Sequence, residues 1–146
     1  MLIKSRAFKD GEYIPSRYTC DGENFNPPLE IYDIPEGTKT LAIVVDDPDA
    51  PSKTWVHWLL WNIPVGNHSI EENEPPKDAI YGINDFGKLE YDGPCPPPGV
   101  HRYFFKVYAL NRELPLPEGA TKEELMNTIE QCKIDSAQLV GLYARK

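Results

Sequence analysis

Cysteine is scarce in this sequence of 146 residues, which contains only Cys20, Cys95 and Cys132. An odd, widely spaced set without a C-x-x-C pair predicts no disulfide framework. We therefore expect reduced thiols and a cytoplasmic protein.

Long apolar runs are also missing. The longest purely apolar run covers residues 41–45. This run is far too short to cross a bilayer, so no integral membrane association is expected. The start of the chain, MLIKSRAFKDGEYIP, lacks the apolar core of a secretory signal peptide, and none is predicted.

Positive charge is outnumbered, with 15 Lys and Arg against 23 Asp and Glu, a net charge of −8 and a pI of about 4.8. An acidic surface repels the phosphates of nucleic acids and anionic lipid headgroups, so neither is expected as a partner. The length is that of a single domain, residues 1–146.

Familiar enzyme motifs are absent. The sequence contains no G-x-S-x-G elbow, P-loop, H-E-x-x-H or G-x-G-x-x-G motif. These motifs position nucleophiles, phosphates, metals and dinucleotides. We therefore predict no catalytic residue, no cofactor and no bound metal.

Proline is abundant instead, with 15 prolines beside 10 glycines. Proline disrupts helix interiors and central strands, so many turns and few long helices are expected. Apolar runs and alternating patterns predict a mainly β domain. The predicted strands cover residues 29–34, 40–46, 55–63, 101–110 and 138–144.

One helix is predicted at residues 121–132. Thr121 with Glu124 forms a capping-box pattern, and apolar residues follow at helical spacing. Residues 64–91 lack a regular pattern and are predicted to be a long surface loop. Such a loop is either a solvated acidic connection or a lid over a binding site.

Strict alternation along the predicted strand 55–63 has a direct consequence for its side chains. Trp55, His57, Leu59, Trp61 and Ile63 are expected on one face, and Val56, Trp58, Leu60 and Asn62 on the other. Trp55 and His57 would then be neighbours beside the acidic turn that precedes the strand.

Asp46, Asp47 and Asp49 form this acidic turn. Asp before Pro is common in turns. A calcium loop needs a regular spacing of acidic residues, which Pro48 and Pro51 interrupt, so metal binding is not predicted. A carboxylate at a strand end can instead orient an imidazole by accepting its N–H.

Two of the three histidines, His57 and His101, lie near the starts of predicted strands and beside proline-bearing loops. A lone histidine on an apolar strand is usually a packed core residue. A pocket needs convergent polar groups, and two histidines with Asp47 and Tyr103 provide them.

Residues 93–99, GPCPPPG, form a stiff loop in which four of seven residues are proline. The N–H groups of Gly93, Cys95 and Gly99 are few, but such a loop can hold an oxyanion at little ordering cost. The alternative is a polyproline turn without a ligand. Cys95 with His57 or His101 is also a possible nucleophile pair.

These motifs resemble those of the phosphatidylethanolamine-binding protein family, also called Raf kinase inhibitor-like proteins, in its bacterial and archaeal branch. The similarity covers nearly the whole chain. The motifs are DPDAP at residues 47–51, VHW at 56–58 with NIP at 62–64, GPCPP at 93–97 with Gly99 and HRY at 101–103, and YTCDG at 18–22 with PPL at 27–29.

The resemblance implies an antiparallel Greek-key β-sandwich with one or two short peripheral helices. It also implies a small pocket that binds phosphate, a phosphorylated head group or a carboxylate. It suggests a cis peptide bond at Ala50–Pro51. The expected ligand-binding residues are Asp47, Asp49, Trp55, His57, Gly93, Pro94, Cys95, His101 and Tyr103.

We therefore expect non-catalytic binding of a small anionic ligand, with a regulatory role. Two alternatives stay open: a protein-interaction module that inhibits a kinase or protease, and a small-molecule hydrolase. The C-terminal helix that partly closes the pocket in eukaryotic members is not recognisable, which argues against lipid or kinase binding. The sequence does not decide whether the chain forms a homodimer, and this alternative also stays open.

Overall fold

Two antiparallel sheets and a short helix make up the computed structural model, which describes residues 1–66 and 68–145. The predicted mainly β class is confirmed. The elements in chain order are β1 (Leu2–Lys4), a 3₁₀ turn (Ser16–Tyr18), β2 (Leu29–Tyr32), β3 (Thr40–Asp47), β4 (Trp55–Pro64), β5 (Ser69–Ile70), β6 (Ile80–Tyr81), β7 (His101–Leu110), α1 (Lys122–Ile129) and β8 (Lys133–Tyr143).

The larger sheet has the strand order β6-β4-β3-β7-β8, and the smaller one has the order β1-β2-β5. In the larger sheet β7 returns to lie beside β3, which is the Greek-key arrangement. Every residue of β3 is buried. This follows from its sequence, which is apolar on both faces of the strand until the two aspartates.

Each face of the larger sheet covers a separate core. Between the sheets, Ile31 and Ile70 of the smaller sheet pack in one cluster with Ile43 and Phe105 of the larger. On the outer face, helix α1 contributes Leu125 and Ile129 to a second cluster. The result is a two-layer sandwich with a helix packed on one side.

The predicted alternation along β4 is confirmed for residues 58–61 but breaks on either side of them, where two register shifts interrupt the pairing of β3 with β4. Val45 pairs with Trp58 but Asp46 pairs with Val56, so His57 is an extra residue on β4. A bulge of this kind redirects the side chains on either side of it. Val56 therefore packs toward the helix with Leu59 and Trp61, whereas Ile63 packs between the sheets with Trp58 and Leu60.

The predicted helix is confirmed over Lys122–Ile129, with Thr121 and Glu124 forming the capping box. The C-terminal strand is also confirmed, but β8 begins at Lys133, earlier than predicted. The first half of β8 is largely exposed, so its sequence lacks the apolar alternation that predicts a strand.

The predicted 64–91 loop contains the two short strands β5 and β6 and is otherwise irregular where the structure describes it. None of the helices formed by residues 1–66 and 68–145 has the length and apolar character needed to span a bilayer.

Candidate functional site

A cleft of about 280 Å³ opens at one end of the larger sheet. Strand β3 is antiparallel to both β4 and β7, so its last residues lie beside the first residues of these two neighbours. Side chains distant in sequence therefore meet there. The lining residues are Asp47, Ala50, Pro51, Trp55, His57, Phe86, Cys95, Pro96, Pro97, His101 and Tyr103.

Six of the nine predicted ligand-binding residues line this cleft: Asp47, Trp55, His57, Cys95, His101 and Tyr103. The other three, Asp49, Gly93 and Pro94, are not among the lining residues. Their polar groups are engaged elsewhere, as described below.

Asp47 holds His101 in place. The two side chains are nearly fully buried, and Asp47 Oδ2 accepts a hydrogen bond from His101 Nδ1 at 2.6 Å. The second carboxylate oxygen, Oδ1, accepts the backbone N–H of Asp49 at 2.7 Å. Both oxygens are therefore occupied, and the remaining ring nitrogen of His101, Nε2, is the one left for a ligand.

His57 is held by a backbone group rather than by a charge. Its Nδ1 lies 2.6 Å from the carbonyl oxygen of Asp92, which can only accept, so Nδ1 carries the proton. Burial lowers the pKa of His57 because the charged imidazolium is poorly solvated there, although the Asp92 carbonyl opposes this effect. His57 is therefore neutral at pH 7, with Nε2 as an acceptor.

Tyr103 lies between the two imidazoles. Its ring centroid is 5.2 Å from that of His57 in an edge-on arrangement and 6.5 Å from that of His101 in a stacked one. Burial, followed by the negative charge of Asp47, raises the pKa of Tyr103 well above its ordinary value. The phenol therefore stays protonated and is a hydrogen-bond donor.

The three aspartates of the acidic turn separate in the structure. Asp46 is buried on the helix side, where Lys106 and Lys122 contact its Oδ2 at 3.2 and 2.7 Å. Asp49 forms a two-pronged pair with the exposed Arg102, and these hydrogen bonds lower the pKa of Asp49.

The carboxylates of this turn thus have three different sets of partners. Across residues 1–66 and 68–145, no group of three or more His, Cys, Asp and Glu side chains is arranged to hold a metal ion.

The proline loop, residues 93–99, contradicts the expectation of reduced thiols. Cys95 forms a disulfide with Cys20, while Cys132 is free and buried. The spacing of 75 residues hid this pair, because the fold and not the chain brings the two cysteines together. Cys95 is therefore not a free thiol nucleophile, which removes the predicted Cys–His pair.

Two predicted contributions of this loop are also engaged in the fold. The N–H of Gly93 donates to Asn24 Oδ1 at 2.8 Å, and the carbonyl of Pro94 accepts the N–H of Cys20 at 3.1 Å. The expected cis bond is also wrong: the Ala50–Pro51 peptide is trans, although both residues line the cleft.

Sequence reasoning kept open a role for the 64–91 loop as a lid but did not single out Phe86, which contributes one wall. Phe86 packs edge-on against Trp55 and His57, with ring centroids 5.7 and 5.5 Å away. Buried Asn84 organises the 84–92 loop: its side-chain oxygen accepts two backbone N–H groups, and its Nδ2 donates to Asp92 Oδ2 at 3.1 Å. The only available signal was an aromatic residue within a polar stretch.

A second cavity of about 440 Å³ includes Trp58, Asn24 and Tyr91 in its wall. Its described lining contains neither histidine nor aspartate, and the Tyr91 hydroxyl already donates to the Tyr18 carbonyl. We assign the functional site to the smaller cleft because polar side chains that titrate or stay protonated converge there.

Comparison with known proteins gives a consistent result. The family model described as phosphatidylethanolamine-binding protein matches residues 4–144. A UPF0098 protein of Methanothermobacter thermautotrophicus is 51% identical over 150 residues, which cover 99% of each chain.

Two solved structures are also similar. The phosphatidylethanolamine-binding protein homolog CT736 of Chlamydia trachomatis has a TM-score of 0.95 and 36% identity, covering 99% of this chain and 97% of its own. YbcL of E. coli has a TM-score of 0.93 and 32% identity, covering 99% of this chain and 98% of its own.

Proposed function

Because the chain belongs to the phosphatidylethanolamine-binding protein family, we propose that it binds a small anion in the cleft without transforming it. The ligand is phosphate, a phosphorylated head group or a carboxylate. One observation carries the proposal: both histidines use Nδ1 for a protein acceptor, which leaves two Nε2 atoms for a ligand in a cleft that Tyr103 also lines.

The protonation of the two imidazole rings supports an anionic ligand. It also determines whether the affinity for that ligand rises or falls with pH. With Nδ1 already donating, Nε2 of His57 or His101 donates to an oxyanion only when the ring is an imidazolium. Binding an anion therefore takes up protons. Affinity should therefore fall as pH rises.

Neutral His57 adds a preference among anions. Its Nε2 is an acceptor, so it suits a ligand that carries a hydroxyl on the anionic group, such as hydrogen phosphate. Sulfate lacks that proton near neutral pH. Sulfate should therefore bind more weakly than phosphate at pH 7, and the two should become more similar in acid.

A non-catalytic role is supported by the chemistry of the described lining. The Cys95 sulfur is bonded to Cys20, and the Tyr103 phenol is held in its protonated form. Neither group is an activated nucleophile. A cleft of about 280 Å³ suits an ion or a head group.

Calorimetry with inorganic phosphate tests the proposal at pH 6. Removal of a hydrogen bond to a charged group costs about 1.5–3 kcal/mol, so His101→Ala should weaken binding about 10- to 100-fold. His68→Ala is the matched control, because His68 is exposed and outside the cleft lining. Absence of phosphate binding at pH 6, or equal affinity in the two variants, would refute it.

A further inference from the structure

The Cys20–Cys95 disulfide lies on the rim of the cleft, and its position suggests a function. We propose that this disulfide is a site of exchange with external thiols and that its reduction weakens anion binding. The second part rests on the proposed function, and the first does not.

Accessibility separates this pair from the third cysteine. Cys20 and Cys95 are both exposed, whereas Cys132 is buried in the cluster beneath helix α1. Thiolates attack a disulfide along an open path to one of its sulfurs, and exposed disulfides are the labile ones. Small external thiols can therefore reach this bond.

The bond also holds a wall of the cleft. Cys95, Pro96 and Pro97 are lining residues. The segment before them is fixed independently by hydrogen bonds: Tyr91 to the Tyr18 carbonyl at 2.7 Å, and Cys20 to the Pro94 carbonyl at 3.1 Å.

Residues 95–100 lack such support. Within the part of the chain that the structure describes, these residues make no hydrogen bond to the rest of the protein. Three of them are prolines, which have no N–H to donate. Between Pro94 and the start of β7 at His101, the disulfide is therefore the covalent link of the loop to a distant segment, and the packing of buried Pro96 adds to it.

The exchange balances with an external thiol as the reductant. A thiolate R–S⁻ attacks one sulfur, an R–S–S bond forms to that cysteine, and the other cysteine leaves as a thiolate. A second R–S⁻ attacks the mixed disulfide and releases R–S–S–R. Two thiols are oxidised by two electrons, and Cys20 and Cys95 are reduced to thiols.

Reduction should weaken binding because the freed loop must be ordered again when an anion enters. If binding must order the equivalent of about one residue of the loop, the entropic cost raises the dissociation constant about tenfold. Reoxidation should restore the original affinity.

The experiment uses the full chain with Cys132→Ser, so that thiol chemistry is confined to one pair. Dithiothreitol, an uncharged dithiol, is the reductant, and mass spectrometry after thiol labelling counts the free thiols. Calorimetry with inorganic phosphate at pH 6 then compares the oxidised and reduced protein. We expect complete reduction and about tenfold weaker binding.

A further variant, Cys20→Ser with Cys132→Ser, should bind like the reduced protein and should not respond to dithiothreitol. Equal affinity in the oxidised and reduced forms overturns the proposal. It is also overturned if the bond survives dithiothreitol in the folded protein. Loss of the cooperative thermal transition on reduction would also overturn the proposal, because the protein would then need the bond in order to stay folded.

Failure of the proposed function is recognised separately. If the oxidised protein does not bind phosphate, hydrogen exchange still tests the thiol site. The hydrogen-bonded amides of Cys20 and Arg102, which lie beside the two ends of the loop, should then exchange faster after reduction, while those of β3 stay protected. Unchanged exchange at Cys20 and Arg102 would show that the disulfide does not anchor the loop.

Discussion

His57 and His101 enter the same cleft by different means. His101 begins β7 and donates to the buried carboxylate of Asp47, so a single side chain orients it. His57 is the extra residue of a bulge in β4 and donates to the Asp92 carbonyl, which belongs to a separate loop.

This difference gives the two imidazoles different partners and a different dependence on other parts of the fold. His101 donates to a buried carboxylate, whereas His57 donates to a neutral backbone carbonyl. A pair of histidines in one site is therefore not a repeated unit. His101 is oriented by a charged partner, and neutral His57 can accept a hydrogen bond from the ligand at Nε2.

The largest predicted effect comes from removing the support of His101. Asp47→Ala leaves a buried ring without its acceptor, and we expect a loss of about 3 kcal/mol in unfolding free energy. Urea denaturation at pH 7 measures it. Asp49→Ala is the control, because its pair with exposed Arg102 should be worth about 0–1 kcal/mol. Equal losses of unfolding free energy in both variants would show that the buried Asp47 contributes no more than the exposed pair of Asp49.

A smaller loss of stability should follow from a change in the 84–92 loop, which supports His57. Asn84→Ala deletes the side chain that organises the 84–92 loop, with an expected cost of about 2 kcal/mol. The histidine ring signals in NMR spectra should then change for His57 and stay constant for His101. Asn111→Ala, at an exposed asparagine, is the control. A shift of both rings would show that the two supports are not independent.

The smallest effect concerns the titration of His57. Its pKa is lower in the folded state than in the unfolded state, so its contribution to stability is present above about pH 6.5 and is lost as pH falls below that value. The protein should therefore be less stable at pH 5 than at pH 7. Urea denaturation of the wild type and of His57→Gln at both pH values measures the difference.

Saturating sulfate, which has no hydroxyl to donate to the neutral ring, should reduce this pH dependence, because a bound anion favours the protonated ring. An identical pH dependence in the wild type and in His57→Gln would show that His57 does not contribute. A slope unaffected by sulfate would show that His57 does not contact the ligand.

Much of the scaffold was predictable because neighbours along the chain determine it. The capping box at Thr121 and Glu124 is local, and the apolar run of β3 predicts a buried strand wherever it lies. The convergence of Asp47, His57 and His101 was expected from their positions beside strand ends. The family resemblance extended this expectation to particular residues.

The errors share a physical origin in contacts between distant segments. The bulge at His57 depends on how β4 pairs with β3, and the disulfide depends on two loops separated by 75 residues. The separation of Asp46, Asp47 and Asp49 likewise depends on which cations and donors each carboxylate meets. Turn composition alone does not specify these partners.

By itself, the sequence determined a mainly β domain, its strands and capped helix, and a small set of polar residues near strand ends. Only the tertiary structure decided which of these residues face the cleft, which ring nitrogens are left for a ligand, and which cysteines are joined. The physical reason is that strand periodicity and capping are short-range effects. Register, burial and the pairing of buried polar groups arise when remote segments pack together.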